Sequence, residues 1–195
     1  MGKRHARAAR PRRRSGSSCR WLGALALLGL LAAPPLGAAG TGSASEAEVK
    51  AAFLLNFTRY VEWPAASFAG AGAPFVICVL DDAEFAATVT RVIGVRTVSE
   101  RPVSVDARAS LAEVGGCHIL YLPSSRSGLH EQVIAELAAQ SVFTVSDSDG
   151  FAKMGGVANF TRAGSKLGVE INRAAADRAK LEVSARLLRI AEVVG

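Results

Sequence analysis

Apolar positions first recur at helical spacing between Ser45 and Trp63. Val49, Ala52, Phe53, Phe57 and Tyr60 share one face, and Leu54, Leu55 and Val61 widen it. Ser45, with Glu48 three residues on, forms a capping-box pattern in which each residue satisfies a backbone N–H that the first turn leaves free. Trp63-Pro64 ends this helix, because a proline disfavours helical geometry in the residue before it. Short apolar runs then alternate with helical patterns. Phe75 to Leu80 reads as a buried strand, followed by a helix from Asp82 to Val92 and a weaker strand from Pro102 to Val105. Ile119 to Leu122 is a further strand, then a helix carrying Leu129, Val133, Ile134 and Leu137, then a strand from Val142 to Val145.

The tail breaks that rhythm. Val157 to Thr161 and Lys166 to Ile171 flank Arg162-Ala163-Gly164-Ser165, which has hairpin length and composition. In the second of these strands Leu167, Val169 and Ile171 face one way and Lys166, Gly168 and Glu170 the other. Asn172 is placed to cap a following helix, and Leu187, Leu188 and Ala191 set a last helix against the core. The expected fold class is α/β: a single domain, with a mainly parallel sheet flanked by helices and a C-terminal antiparallel strand pair.

The first 39 residues stand apart from that pattern. Eight Lys and Arg precede an apolar run from Trp21 to Ala33, and Gly37-Ala38-Ala39 offers a small-residue cleavage site. That order describes a cleaved secretory signal peptide over residues 1–39, whose apolar run is too short for a membrane span. Residues 40–195 then form the exported domain. Charge changes with this division. Of 23 basic residues in the whole chain, 15 lie after residue 39, against 17 acidic ones, so the net charge of +6 becomes about −2. The basicity belongs to the leader, and no basic patch with interleaved aromatics remains for nucleic acid.

Two cysteines follow the leader, Cys78 and Cys117, and in an oxidising compartment an even pair reads as a disulfide. With the common 2-1-3 strand order their strands are neighbours, about 4.8 Å apart. Closing a loop of roughly 40 residues stabilises by about 4 kcal/mol in the chain-entropy model. The adjacent pair Cys117-His118 points to opposite faces of a strand and does not make a thiolate–imidazole couple. Asp81-Asp82 follows a strand as in phospho-receiver domains, but the strand ending Tyr121-Leu122-Pro123 supplies no acceptor carboxylate. Asp147-Ser148-Asp149-Gly150 is a fragment of a calcium loop with Ala158 where the bidentate Glu belongs, and reads as a polar turn. Gly155-Gly156 lacks the helix-opening pattern of a nucleotide site. With no catalytic constellation, metal signature or cofactor motif, the chain reads as a binding protein and not an enzyme.

The stretch K-A-A-F-L-L-N-F-T-R-Y-V-E-W-P, Lys50 to Pro64, resembles the opening signature of the YfiR-like periplasmic family. The resemblance continues through G-C-H-I-L-Y, Gly116 to Tyr121, and V-S-D-S-D-G-F-A-K-M-G-G-V-A-N-F, Val145 to Phe160. It closes with V-E-I-N, Val169 to Asn172, and S-A-R-L-L-R-I-A, Ser184 to Ala191. It implies a repressor that occupies the periplasmic sensor domain of a membrane-bound diguanylate cyclase and so lowers cyclic-di-GMP. A peptidoglycan-associated outer-membrane lipoprotein is the implied sequestering partner. Some relatives carry a second cysteine pair, and Ser146 to Gly156 contain none.

The alternative, a small-ligand-binding or sensing protein, would use the crevice at the sheet's switch point. The broad aromatic face of the first helix is wider than packing on a sheet requires, and Arg and aromatic residues anchor interfaces. Arg59, Tyr60 and Trp63 are therefore the expected partner-binding residues, for a homodimer or for the sensor. Phe160 and Glu170 in the C-terminal hairpin are the next candidates.

Overall fold

In the computed structural model residues 44–164 and 166–195 are described, and the expected leader over 1–39 lies outside them. The first helix, α1 (Glu46–Tyr60), begins at the expected capping box. The Ser45 hydroxyl accepts the Glu48 N–H at 3.3 Å, and the Glu48 carboxylate accepts the Ser45 N–H at 2.8 Å. The helix stops at Tyr60, earlier than Trp63-Pro64 suggests. Val61 is already extended, and β1 (Val61–Glu62) pairs antiparallel with β9 (Glu182–Val183). The Tyr60 carbonyl accepts the Ser184 N–H at 2.8 Å, so strand pairing takes the chain out of the helix before the proline acts. Trp63 is consequently not on the helix face.

The remaining strands build one eight-stranded sheet. They are β2 (Phe75–Leu80), β3 (Thr97–Val98), β4 (Arg101–Arg108), β5 (Ile119–Leu122), β6 (Phe143–Ser146), β7 (Ala158–Ala163), β8 (Lys166–Asn172) and β10 (Glu192–Val194). Their order is β10-β8-β7-β6-β5-β2-β4-β3. β4, β2, β5, β6 and β7 are mutually parallel, whereas β8 turns back antiparallel on β7. β2 lies between β4 and β5, as the 2-1-3 order requires, and Cys78 sits opposite Leu120. Two features of the tail differ from expectation. The last helix, α6 (Ala185–Leu188), is a single turn, and the chain then runs as β10 parallel to β8. The Val193-Val194 pair suits an edge strand better than a helix end.

Alternation along the central strands divides the core. Ile77, Val79, Ile119 and Tyr121 face α1 and α2 (Ala83–Ile93), while Cys78, Leu80, Leu120 and Leu122 face α3 (His130–Leu137) and α4 (Phe151–Met154). Phe57 of α1 is fully buried with its ring 4.8 Å from Phe143. Asp82 caps α2 through the Phe85 N–H at 2.8 Å, so that acidic pair is structural. Asn172 caps α5 (Arg173–Arg178) through Ala175 N–H and also donates to the Ala152 carbonyl at 2.7 Å. Gly156 is required by contact: a Cβ there would lie 2.1 Å from the Phe151 ring.

Candidate functional site

A cleft of about 560 Å³ opens where α1 ends. One wall includes Thr58, Arg59, Glu62 and Trp63, and the other is the β3–β4 hairpin, through Thr97, Val98, Ser99 and Arg101. Phe68 and Phe75 line it between them. Ser99 and Glu100, at the hairpin tip, both hold left-handed backbone (φ 49° and 64°) without being glycine, a conformation that costs about 1–3 kcal/mol per residue. Arg101 follows directly. Its Nη1 donates to the Gly70 and Ala73 carbonyls at 2.8 and 3.0 Å, and its guanidinium lies 4.0 Å over the Phe68 ring. No carboxylate pairs with Arg101 or Arg59 among the described residues.

His118 ties this region to the sheet. Its ring stacks on Phe68 at 4.4 Å and packs on Phe75 at 4.8 Å, and its Nδ1 accepts the Val76 N–H at 3.1 Å. Its carbonyl accepts the Trp63 Nε1–H at 3.1 Å. Burial pushes the His118 imidazole below its ordinary range, and the Arg101 charge adds to that. The neutral ring is the form that accepts from Val76. The preceding residue, Cys117, is bonded to Cys78 with Cα atoms 5.8 Å apart, as the strand order led us to expect.

Of the expected partner residues, Arg59 and Trp63 line this cleft, with Arg59 exposed and Trp63 half-buried. Tyr60 is half-buried beside them, with the Arg186 guanidinium 6.0 Å from its ring. Phe160 and Glu170 do not form a surface. Phe160 packs 6.3 Å from Phe57 in the core at 2 % exposure. Glu170, on the other face of β8, is 5 % exposed because α4 covers it and Lys153 pairs with it at 3.0 Å. Phe53 also packs against the core, its ring 5.9 Å from Phe160.

A second polar cluster lies at the opposite end of α1. Lys50, with only 11 % of its side chain exposed, donates to Asp147 at 2.7 Å and pairs with Glu46 at 2.8 Å. Asp147 also accepts the Ser124 N–H at 2.6 Å and a hydrogen bond from the Tyr121 hydroxyl. Burial raises the Asp147 carboxyl, but hydrogen bonds from Lys50 and Tyr121 outweigh it and hold the group below the usual carboxylate range. The same burial pushes the Tyr121 phenol far up. Asp147, read from sequence as a turn residue, is thus the anchor that locks α1 to the ends of β5 and β6. The signal for its partner was present: Lys50 sits at helical spacing from Phe53, Leu54 and Phe57, a cation on the core face. His130 is buried 4.8 Å from the Phe151 ring, its Nε2 3.4 Å from the Ser146 hydroxyl and 3.5 Å from that of Ser148.

The cleft offers recognition chemistry: an apolar, aromatic floor beside two arginines that have no carboxylate partner among the described residues. A search of curated proteins found no relative. The YfiR/HmsC-like family model matches residues 47–192, which takes in every element from α1 to the start of β10. The chain therefore belongs to the YfiR/HmsC-like family.

Proposed function

We propose that this protein is a periplasmic regulator that represses a membrane-bound diguanylate cyclase by occupying its periplasmic sensor region, and so lowers cyclic-di-GMP. The observation that carries this reading is the family match over residues 47–192, since the family is one of periplasmic regulators of diguanylate cyclase signalling and not of enzymes. No helix among the described residues is long and apolar enough to cross a membrane, which fits action from the periplasm on a membrane-held partner. The cleft beside Arg59 and Trp63 is the contact surface in this reading, because it joins a sizeable concavity to aromatic anchors and to arginines that have no carboxylate partner among the described residues. A peptidoglycan-associated outer-membrane lipoprotein would act by competing for the regulator, and a homodimer would present two such surfaces.

The experiment is co-purification of the tagged chain from membranes, with cyclic-di-GMP measured in cells that carry or lack it. Capture of a cyclase with a periplasmic sensor, together with a fall in cyclic-di-GMP, is expected. Unchanged cyclic-di-GMP and no cyclase in the eluate would refute the reading. A second reading, small-ligand binding, draws on the cleft volume of about 560 Å³, within the range of ligand cavities. A saturable metabolite-induced thermal shift would mark it.

A further inference from the structure

Arg101 is half-buried and held from three sides. Its Nη1 is spent on two loop carbonyls, Gly70 and Ala73, and the guanidinium plane rests on Phe68. These contacts orient the group without neutralising it, and its remaining N–H donors have no carboxylate among the described residues. A desolvated cation normally has a counter-ion, since burying charge unpaired is costly. The neighbouring His118 records the same positive field, being held neutral in part by Arg101. Across the cleft Arg59 is a second cation without a carboxylate partner among the described residues, against the single lining carboxylate of Glu62. A guanidinium fixed in advance loses little freedom on binding, which is the condition for strong bidentate recognition of a carboxylate.

We infer that the cleft receives an acidic segment of a protein partner, with an Asp or Glu carboxylate on Arg101 and an adjacent apolar side chain against Trp63 and Phe68. Charge complementarity selects this occupant. Arg59 and Arg101 line the cleft against the one lining carboxylate, Glu62, and neither has a carboxylate partner among the described residues, so an acidic segment meets a local excess of positive charge there. The inference rests on the reading of this cleft as the sensor contact and supplies the chemistry of what docks there.

Trp63 is the sole tryptophan among the described residues and lines the cleft, so its fluorescence reports occupancy. The probe is the peptide acetyl-Glu-Leu-Asp-Phe-amide, titrated into the exported chain beside its neutral counterpart acetyl-Gln-Leu-Asn-Phe-amide. Saturable quenching by the acidic peptide is expected, with the neutral one weaker by about tenfold or more, the cost of a charge-assisted hydrogen bond. Arg101→Gln should abolish the difference between the peptides. Arg59→Gln, at an exposed position that does not endanger folding, should reduce it, and far-UV circular dichroism confirms that both variants are folded. Equal quenching by the two peptides, or an unchanged preference in folded Arg101→Gln and Arg59→Gln, overturns the inference. Benzoate binding as tightly as the acidic peptide also overturns it, by making the cleft a small-acid site. Peptide discrimination without any effect on cyclic-di-GMP would leave the inference standing and refute the cyclase reading instead.

Discussion

Replacing Asp147 by Asn tests how α1 is held to the sheet. Removing one partner of a buried ion pair costs about 3–5 kcal/mol when the remaining charge is stranded. Here Lys50 and Asp147 keep 11 % and 18 % side-chain exposure, and Glu46 stays beside Lys50 at 2.8 Å. The expected loss in Asp147→Asn is therefore nearer about 2 kcal/mol. Lys50→Met leaves Asp147 its bonds from Ser124 and Tyr121 and should cost less, about 1 kcal/mol. The double variant removes both charges, so it should be more stable than the sum of the two losses predicts, by about 1 kcal/mol. The effect has a pH signature. The folded carboxyl is held below the unfolded range, so its contribution is complete above the ordinary Asp pKa of about 4 and is lost as pH falls through the folded value. Urea unfolding of the three variants and the parent, at pH 7 and below about pH 3, measures both quantities. Strict additivity, or a deficit in Asp147→Asn that persists undiminished in acid, would show that this pair does not anchor the helix.

Cys78→Ser should lower stability by about 4 kcal/mol and the midpoint of thermal unfolding by about 8–16 °C, with two reactive thiols appearing in the parent only after reduction; thiol labelling and calorimetry check this. Gly156→Ala places a methyl group within the Phe151 ring and should destabilise by at least about 1–3 kcal/mol in urea, whereas Gly128→Ala, open on all sides, should not. Arg59→Glu and Tyr60→Ser, made separately, should stay folded and weaken capture of the membrane partner; normal capture by both would move the surface elsewhere. Both buried histidines are held neutral, so the unfolded chain binds protons more readily and stability should fall as pH drops below about 6.5. His118→Asn should remove part of that slope, measured by urea midpoints between pH 7 and pH 5.

Local signals carried most of the fold. The Ser45–Glu48 capping box, the run Ile119 to Leu122 and the antiparallel pairing of the two tail strands read correctly, because each is decided by neighbours in sequence, although Arg162 and Ala163, expected in the turn, extend β7 and pair with Leu167 and Lys166. Errors fell where a distant partner decides. The end of α1 depends on Ser184, and the exit into β10 depends on the free edge of β8. Period-2 alternation placed Glu170 opposite Val169 and Ile171 correctly, but α4 then buried it, which alternation cannot reveal. The disulfide was legible because strand order and compartment both bear on it. Half of the cleft was not. Phe68 comes from an aperiodic loop, and Arg101 gains its meaning only from two carbonyls some thirty residues earlier.

The bond between Cys78 and Cys117 makes a closed ring of everything between them, including α2 and the hairpin wall of the cleft. Trp63 and the α1 wall lie outside that ring. Val95, fully exposed on the bend before the hairpin, is a point of that ring open to a protease. A single cut there would sever the backbone yet release nothing, because both pieces remain fastened at the centre of the sheet. The nicked chain would keep its mass and its edge strands until a reductant separated them, so integrity on a non-reducing gel and continuity of the polypeptide are two different properties of this protein.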